Sequence, residues 1–214
     1  MNHILLGVLV AVALGLYFKK GIQGEWQLFC GDRRLWLKRT WKEWGEPFVV
    51  AAIIAIVIRS FVLGPYKIPT GSMRPTLMEQ DRIFVDKITY RFREPKRGEI
   101  IVFKYPEEPK KDFVKRLIAF GGEKVIIKEG NVFVNGTKLQ ELAHAPIFYY
   151  YNREDWTYGK EGETILVPDH SFFVLGDNSA HSSDSRNWGF VPRRNLVGRA
   201  FLVWWPLRRI GFLK

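Results

Sequence analysis

Ser72 stands in the stretch Ile68-Pro69-Thr70-Gly71-Ser72-Met73-Arg74-Pro75-Thr76-Leu77. A serine hydroxyl becomes a nucleophile at neutral pH only when a base takes its proton. Pro69 and Pro75 fix their own φ angles and bias the residues before them towards extended backbone. Gly71 allows a sharp turn or a close approach of another chain. The stretch therefore reads as a rigid holder for one hydroxyl. Two kinds of residue could act as its base. His181 lies in Gly176-Asp177-Asn178-Ser179-Ala180-His181-Ser182-Ser183-Asp184-Ser185-Arg186. With Asp177 or Asp184 it completes a Ser-His-Asp triad. His3, His144 and His170 sit at the terminus or in loop-like contexts that suggest no such role. Lys115 lies in Asp112-Phe113-Val114-Lys115-Arg116-Leu117-Ile118-Ala119-Phe120. Alternation along a strand puts it on one face with Phe113 and Leu117. Burial there disfavours the ammonium and lowers its pKa from about 10.4 towards neutrality, where the free amine is a competent base. Arg116 cannot serve, because a guanidinium keeps its proton. The residues alone leave both bases open.

The elements that must position these groups are strands. Arg82–Ile88, Glu99–Tyr105, Phe113–Phe120, Lys124–Lys128, Val132–Val134, Ser171–Leu175 and Gly198–Trp205 have strand composition. Asn135-Gly136 between Val134 and Thr137 predicts a type I′ hairpin. The tyrosine-rich stretch 141–163, with Tyr149, Tyr150, Tyr151 and Tyr158, reads as an irregular excursion. From Lys67 onward the expected fold is mainly β: coiled antiparallel sheets or a partial barrel over 67–214, with a short inserted hairpin region over 124–170.

Two transmembrane helices are expected before it. Ile4–Phe18 is apolar and uncharged, and Lys19 and Lys20 can snorkel to extend it. Positive charge follows this run instead of preceding it, which fits an uncleaved anchor over residues 1–18 better than a signal peptide. Residues 19–46 mix basic side chains with Trp26, Trp36, Trp41 and Trp44, as expected of a cytoplasmic loop on the membrane surface. The second span is expected over 47–66, with Arg59 near its far end. Two spans place both ends outside, so Ser72 emerges just beyond the outer leaflet. The net charge of +11 suits anionic lipid or nucleic acid. No zinc-finger spacing, P-loop or RNA-binding aromatic motif appears, so lipid is the expected partner, with no nucleic acid, metal or cofactor. Cys30 is the single cysteine, which excludes an intramolecular disulfide.

Four ordered blocks resemble bacterial type I signal peptidases, membrane-bound serine proteases with a Ser–Lys dyad. They are Ile68–Leu77, Arg97-Gly98-Glu99-Ile100-Ile101-Val102-Phe103-Lys104-Tyr105-Pro106, Lys115-Arg116-Leu117-Ile118-Ala119-Phe120-Gly121-Gly122-Glu123, and Gly176-Asp177-Asn178 through Ser182, Asp184-Ser185-Arg186 and Trp188-Gly189. The resemblance implies a Ser72 nucleophile and a Lys115 general base, oriented by the Ser182 hydroxyl. It implies an oxyanion hole from the Ser72 N–H and the Thr70 hydroxyl, and an Asp184–Arg186 pair holding the last block. Ile68, Met73, Ile83 and Val114 match positions that line substrate pockets. Thr70 stands where many members carry serine, and Gly121 where proline is common. The implied reaction is removal of signal peptides from secreted preproteins after small residues of Ala-X-Ala type. It would occur on the outer face of the bacterial cytoplasmic membrane, by a multi-pass protein. Two other readings remain: a membrane-anchored module that binds preproteins without cutting them, and a Ser–Lys autoprotease of the self-cleaving repressor type. The tail Val203-Trp204-Trp205-Pro206-Leu207-Arg208-Arg209 suits a membrane surface.

Overall fold

The computed structural model describes residues 33–57, 63–140 and 148–213. Met1–Ile56 and Val57–Lys214 are two compact units. Among the described residues the first unit is helical: α1 (Arg33–Thr40), a π-helical turn (Trp41–Gly45) and α2 (Glu46–Val57). Pro47 lies just past the π-helical turn of one uninterrupted helical run, where its missing N–H removes an i→i−4 bond, in keeping with the irregular turn before it. Phe48, Val50, Ile53, Ile54 and Ile56 along this helix are exposed.

No helix among the described residues is long and apolar enough to cross a membrane. The expected first span, Ile4–Phe18, lies outside the described residues, as do His3, Cys30 and His144. The expected second span, 47–66, needs correcting at its end. Leu63–Lys67 is strand β1 and not helix. Gly64 and Pro65 explain the change, since neither continues a helix. Pro65 cannot donate to a sheet ladder, and β1 tolerates it because it is an edge strand.

The second unit is mainly β. Its strands are β2 (Arg82–Asp86), β3 (Ile100–Lys104), β4 (Asp112–Phe120), β5 (Lys124–Lys128), β6 (Asn131–Val134), β7 (Thr137–Lys138), β8 (Thr164–Leu166), β9 (Ser171–Leu175), β10 (Val191–Pro192), β11 (Leu196–Trp205) and β12 (Gly211–Phe212). Two short helices, α3 (Thr89–Phe92) and α4 (Ser185–Trp188), interrupt them. The large sheet runs β1-β2-β11-β3-β4-β9-β10, with β12 added to β11. All its pairings are antiparallel. β11 is the longest strand, and its register shifts against both β2 and β3 bend it. The sheet coils: β1 and β4 are separated by three strands in the order, yet residues of both line one cavity. The coil is open, because β1 and β10 end the order without pairing to each other.

The small sheet, β7-β6-β5-β8, lies within 124–166. Asn135 and Gly136 both have positive φ, 51° and 85°, as the expected hairpin requires. Ile118, Val125, Val132, Ile165 and Phe173 form one apolar cluster there. A second cluster, with Ile68, Met73, Leu77, Ile83, Val85 and Val102, underlies the serine-bearing loop.

Candidate active site

The loop after β1 is pinned at both ends. Ile68 N–H donates to the Asp81 carbonyl at 2.8 Å, and Gln80 N–H returns to the Ile68 carbonyl at 2.8 Å. Between them the chain turns twice, with Arg74 N–H on the Gly71 carbonyl and Leu77 N–H on the Met73 carbonyl. Met73 and Leu77 anchor these turns in the core. Ser72 is thereby held half-buried at the rim of the cavity, with its backbone fixed from beneath.

The segment after β9 provides that fixing. Asn178 N–H donates to the Ser72 carbonyl at 3.0 Å, and Asn178 Nδ2 donates to the Gly71 carbonyl at 2.9 Å. Such close contact needs Gly176. A Cβ there would lie 2.5 Å from the Ser72 carbonyl oxygen and 2.1 Å from Ser182 Oγ.

Lys115 reaches this point from β4. It is 4% exposed, and its Nζ lies 2.7 Å from Ser72 Oγ. Loss of hydration pushes its pKa down from 10.5 to about 8. The Asp184 and Asp177 carboxylates oppose that shift, and the Arg186 guanidinium reinforces it. A substantial neutral fraction thus exists near pH 8, and a neutral amine at this distance can accept the hydroxyl proton.

The cavity beside this pair has a volume of about 330 Å³. Thr70, Ser72, Ile68 and Met73 line it from the loop, and Phe113, Val114 and Lys115 from β4. Tyr66 of β1 and Asp112 of β4 face each other in its wall and share a hydrogen bond; burial and the Asp112 carboxylate raise the Tyr66 hydroxyl to about 12.

Other expected residues fall differently. Ile83 is fully buried in the cluster beneath Ile68 and Met73 and does not line the cavity. Alternation in β2 turns its side chain into the core. Asp184 and Arg186 form a completely buried two-bond pair, Nε–Oδ1 and Nη2–Oδ2 both at 2.8 Å. The expected bond from Lys115 to Ser182 is absent. Lys115 donates to Ser72, and the buried Ser182 hydroxyl has no partner among the described residues. His181 lines the cavity, but its Nδ1 faces Asn178 Oδ1 at 3.4 Å. Both acids that a triad would need are committed to arginines.

A second buried pair was missed at the sequence level. Arg116 grips Asp177 with Nε–Oδ1 at 2.8 Å and Nη2–Oδ2 at 2.7 Å, and Asp177 also accepts from Thr76 Oγ1. This ties β4, the serine-bearing loop and the segment after β9 together. The signal was available: a strand arginine facing away from Lys115 into the core needs a buried acid.

Residues 41–205 match the family described as signal peptidase, peptidase S26. The chain belongs to the S26 signal peptidases. It is 44% identical over 182 residues to the probable signal peptidase I-2 of Synechocystis sp., covering 82% of this chain and 78% of that protein. The signal peptidase I of Leptolyngbya laminosa is 42% identical, with 77% and 79% covered. That of Aquifex aeolicus is 35% identical, with 72% and 80% covered. In this S26 signal peptidase the end of β11 and the tail after it are bound into the body of the fold as well as facing outward. Arg209 donates to the buried Asp81 and to the Thr76 carbonyl, and Trp204 stacks on Phe84 with ring centres 5.6 Å apart. Trp205, Leu207, Ile210 and Phe212 remain exposed beside it.

Proposed function

We propose that Ser72 and Lys115 are the catalytic pair with which this signal peptidase removes signal peptides from secreted preproteins. The observation that carries the reading is the buried Lys115 amine 2.7 Å from the Ser72 hydroxyl. The neutral amine takes the hydroxyl proton as Ser72 Oγ attacks the scissile carbonyl. The Ser72 N–H and the Thr70 hydroxyl stabilise the oxyanion, each such donor being worth about 10²–10³ in rate. The Lys115 ammonium then protonates the departing amine. A water, deprotonated by the regenerated amine, hydrolyses the acyl-enzyme.

The substrate lies extended along the free edge of β1, where backbone bonds give affinity without demanding a sequence. Ile68, Met73 and Val114 shape shallow apolar pockets that accept small side chains of the Ala-X-Ala type. The protein is anchored in the bacterial cytoplasmic membrane by spans within 1–18 and 47–62, with 19–46 as a basic inner loop and the catalytic unit on the outer face. The apolar run 4–18 supports this, as does α2, whose exposed apolar side chains are unfavourable in water on every face. The exposed Trp205, Leu207, Ile210 and Phe212, beside Arg208, support contact with lipid.

The test uses the detergent-solubilised protein and a precursor bearing a signal peptide. Ser72→Ala and Lys115→Ala each abolish cleavage, and the new N-terminus made by the unaltered protein follows a small residue. Normal turnover by Lys115→Ala sinks the dyad. Inactivity of His181→Ala alone points to the histidine instead.

A further inference from the structure

The aromatic stretch after residue 147 packs on the two buried arginines beside the base. Phe148 lies under the Arg116 guanidinium at 5.9 Å, and Tyr150 under that of Arg186 at 5.9 Å. Trp156 stacks on Arg186 at 4.5 Å, and Arg153 covers the same indole at 5.4 Å. Backbone joins in. The Tyr151 carbonyl accepts from Arg186 Nη1 at 2.8 Å, and Tyr158 N–H donates to the Arg186 carbonyl at 2.9 Å. Ser179 Oγ, which receives the Tyr151 N–H at 2.8 Å, accepts from Arg186 Nη1 at 2.6 Å. Gly159 is pressed onto this assembly, for a Cβ there would lie 2.6 Å from the Trp156 ring.

We propose that residues 150–159 are a positioning element for the general base: they clamp Arg186 on Asp184 and so keep that carboxylate neutralised beside Lys115. The inference rests on Lys115 being the base. The charged groups that act on the amine are Asp184 and Asp177, which favour its proton, and Arg186, which disfavours it. Asp177 is held by Arg116 from β4, independently of the clamp. Asp112, Lys67 and His181 also line the cavity. Loosening Arg186 therefore leaves the Asp184 charge less compensated, stabilises the ammonium, and moves the acid limb of activity to higher pH.

The experiment measures kcat/KM of the full-length protein from pH 6 to 10 on one precursor peptide. Trp156→Ala moves the midpoint of the acid limb upward by about one pH unit, a roughly tenfold loss at pH 7 that fades by pH 10. Trp156→Phe, which keeps a ring over the guanidinium, restores the profile. Gly159→Ala, which pushes the indole off Arg186, shifts the limb in the same direction and decides the matter if Trp156→Ala does not fold. A loss by one factor at every pH, or an unshifted midpoint, overturns the clamp while leaving the dyad intact. An unaltered protein with no acid limb, or an active Lys115→Ala, removes the dyad first.

Discussion

Lys115 and Arg116 are consecutive residues of β4, both buried, at 4% and 1% exposed. Alternation sends them to opposite faces, and the two faces treat a cation in opposite ways. On one face Lys115 meets a hydroxyl and the wall of an apolar cavity. On the other, Arg116 meets a carboxylate that it grips with two parallel bonds. The chemistry of the side chains dictates this. A guanidinium keeps its proton, so when buried it requires a paired anion. An ammonium can relieve the same burial by deprotonating. One strand thus carries a paired guanidinium and an amine with a lowered pKa side by side, because their surroundings differ and their burial does not.

The largest effect is expected on the paired side. Arg116→Met leaves Asp177 buried with its charge uncompensated, at a cost of about 3–5 kcal/mol. Urea unfolding at pH 7 measures it. Adding Asp177→Leu removes the stranded charge and recovers most of the loss. A double variant as unstable as the single one would mean that the Arg116 side chain matters for its bulk and not for its charge, and the contrast between the faces would dissolve.

This contrast was half legible in the sequence. Ser72 stands out because proline and glycine mark its loop, Lys115 because alternation puts it on an apolar strand face, and the Asp184–Arg186 pair only through the resemblance to signal peptidases; the long strands follow from their β-branched and aromatic runs. The Arg116–Asp177 pair spans 61 residues of sequence, and no local pattern reports which buried acid meets which buried base. The short strands β7, β8, β10 and β12 are two or three residues long, below the length at which alternation can be recognised. β1 was hidden in an apolar run whose composition also fits a helix, and its pairing with β2 decided the conformation. Ile83 shows the same limit: alternation predicts that it is buried, but not whether it borders a cavity. The aromatic stretch 148–158 has no period of its own, since Phe148, Tyr150 and Trp156 are placed by contacts with Arg116 and Arg186, which are distant in sequence.

The unpaired side yields a smaller effect of opposite sign. Lys115→Met abolishes activity and raises stability. The folded pKa of about 8 lies below the ordinary 10.5, so below pH 8 the lysine costs the fold on the order of 3 kcal/mol. Between about pH 8 and 10.5 the unfolded chain holds a proton that the folded protein has released. Stability of the unaltered protein therefore rises across that window. The advantage of Lys115→Met is full at pH 7, shrinks from pH 8 upward and is gone above 10.5. Denaturant midpoints at pH 7, 9 and 10.5 trace the window. A Met variant no more stable than the unaltered protein at pH 7 would show that the lysine is not strained by its burial.

The smallest effect separates catalysis from stability within the same face. Ser182 is 7% exposed, and its hydroxyl has no partner among the described residues, although buried hydroxyls are ordinarily bonded. An unmade bond of this kind costs about 1–3 kcal/mol, so Ser182→Ala leaves Tm unchanged or slightly higher. The hydroxyl packs against Gly176, on the same side as the Ser72 carbonyl. In the proposed mechanism, acylation turns Ser72 Oγ into an ester oxygen, a poor partner for the newly protonated Lys115. The proposed role of Ser182 is to offer that ammonium an acceptor, in a bond that Lys115 does not make in this structure. Its removal lowers kcat about tenfold, one charge-assisted hydrogen bond, with KM unchanged. Thermal denaturation and steady-state kinetics on the same preparation check both halves. A lower Tm with normal kcat would make the hydroxyl a packing group, and the reactive face of β4 would then rest on Ser72 and Lys115 without a third member.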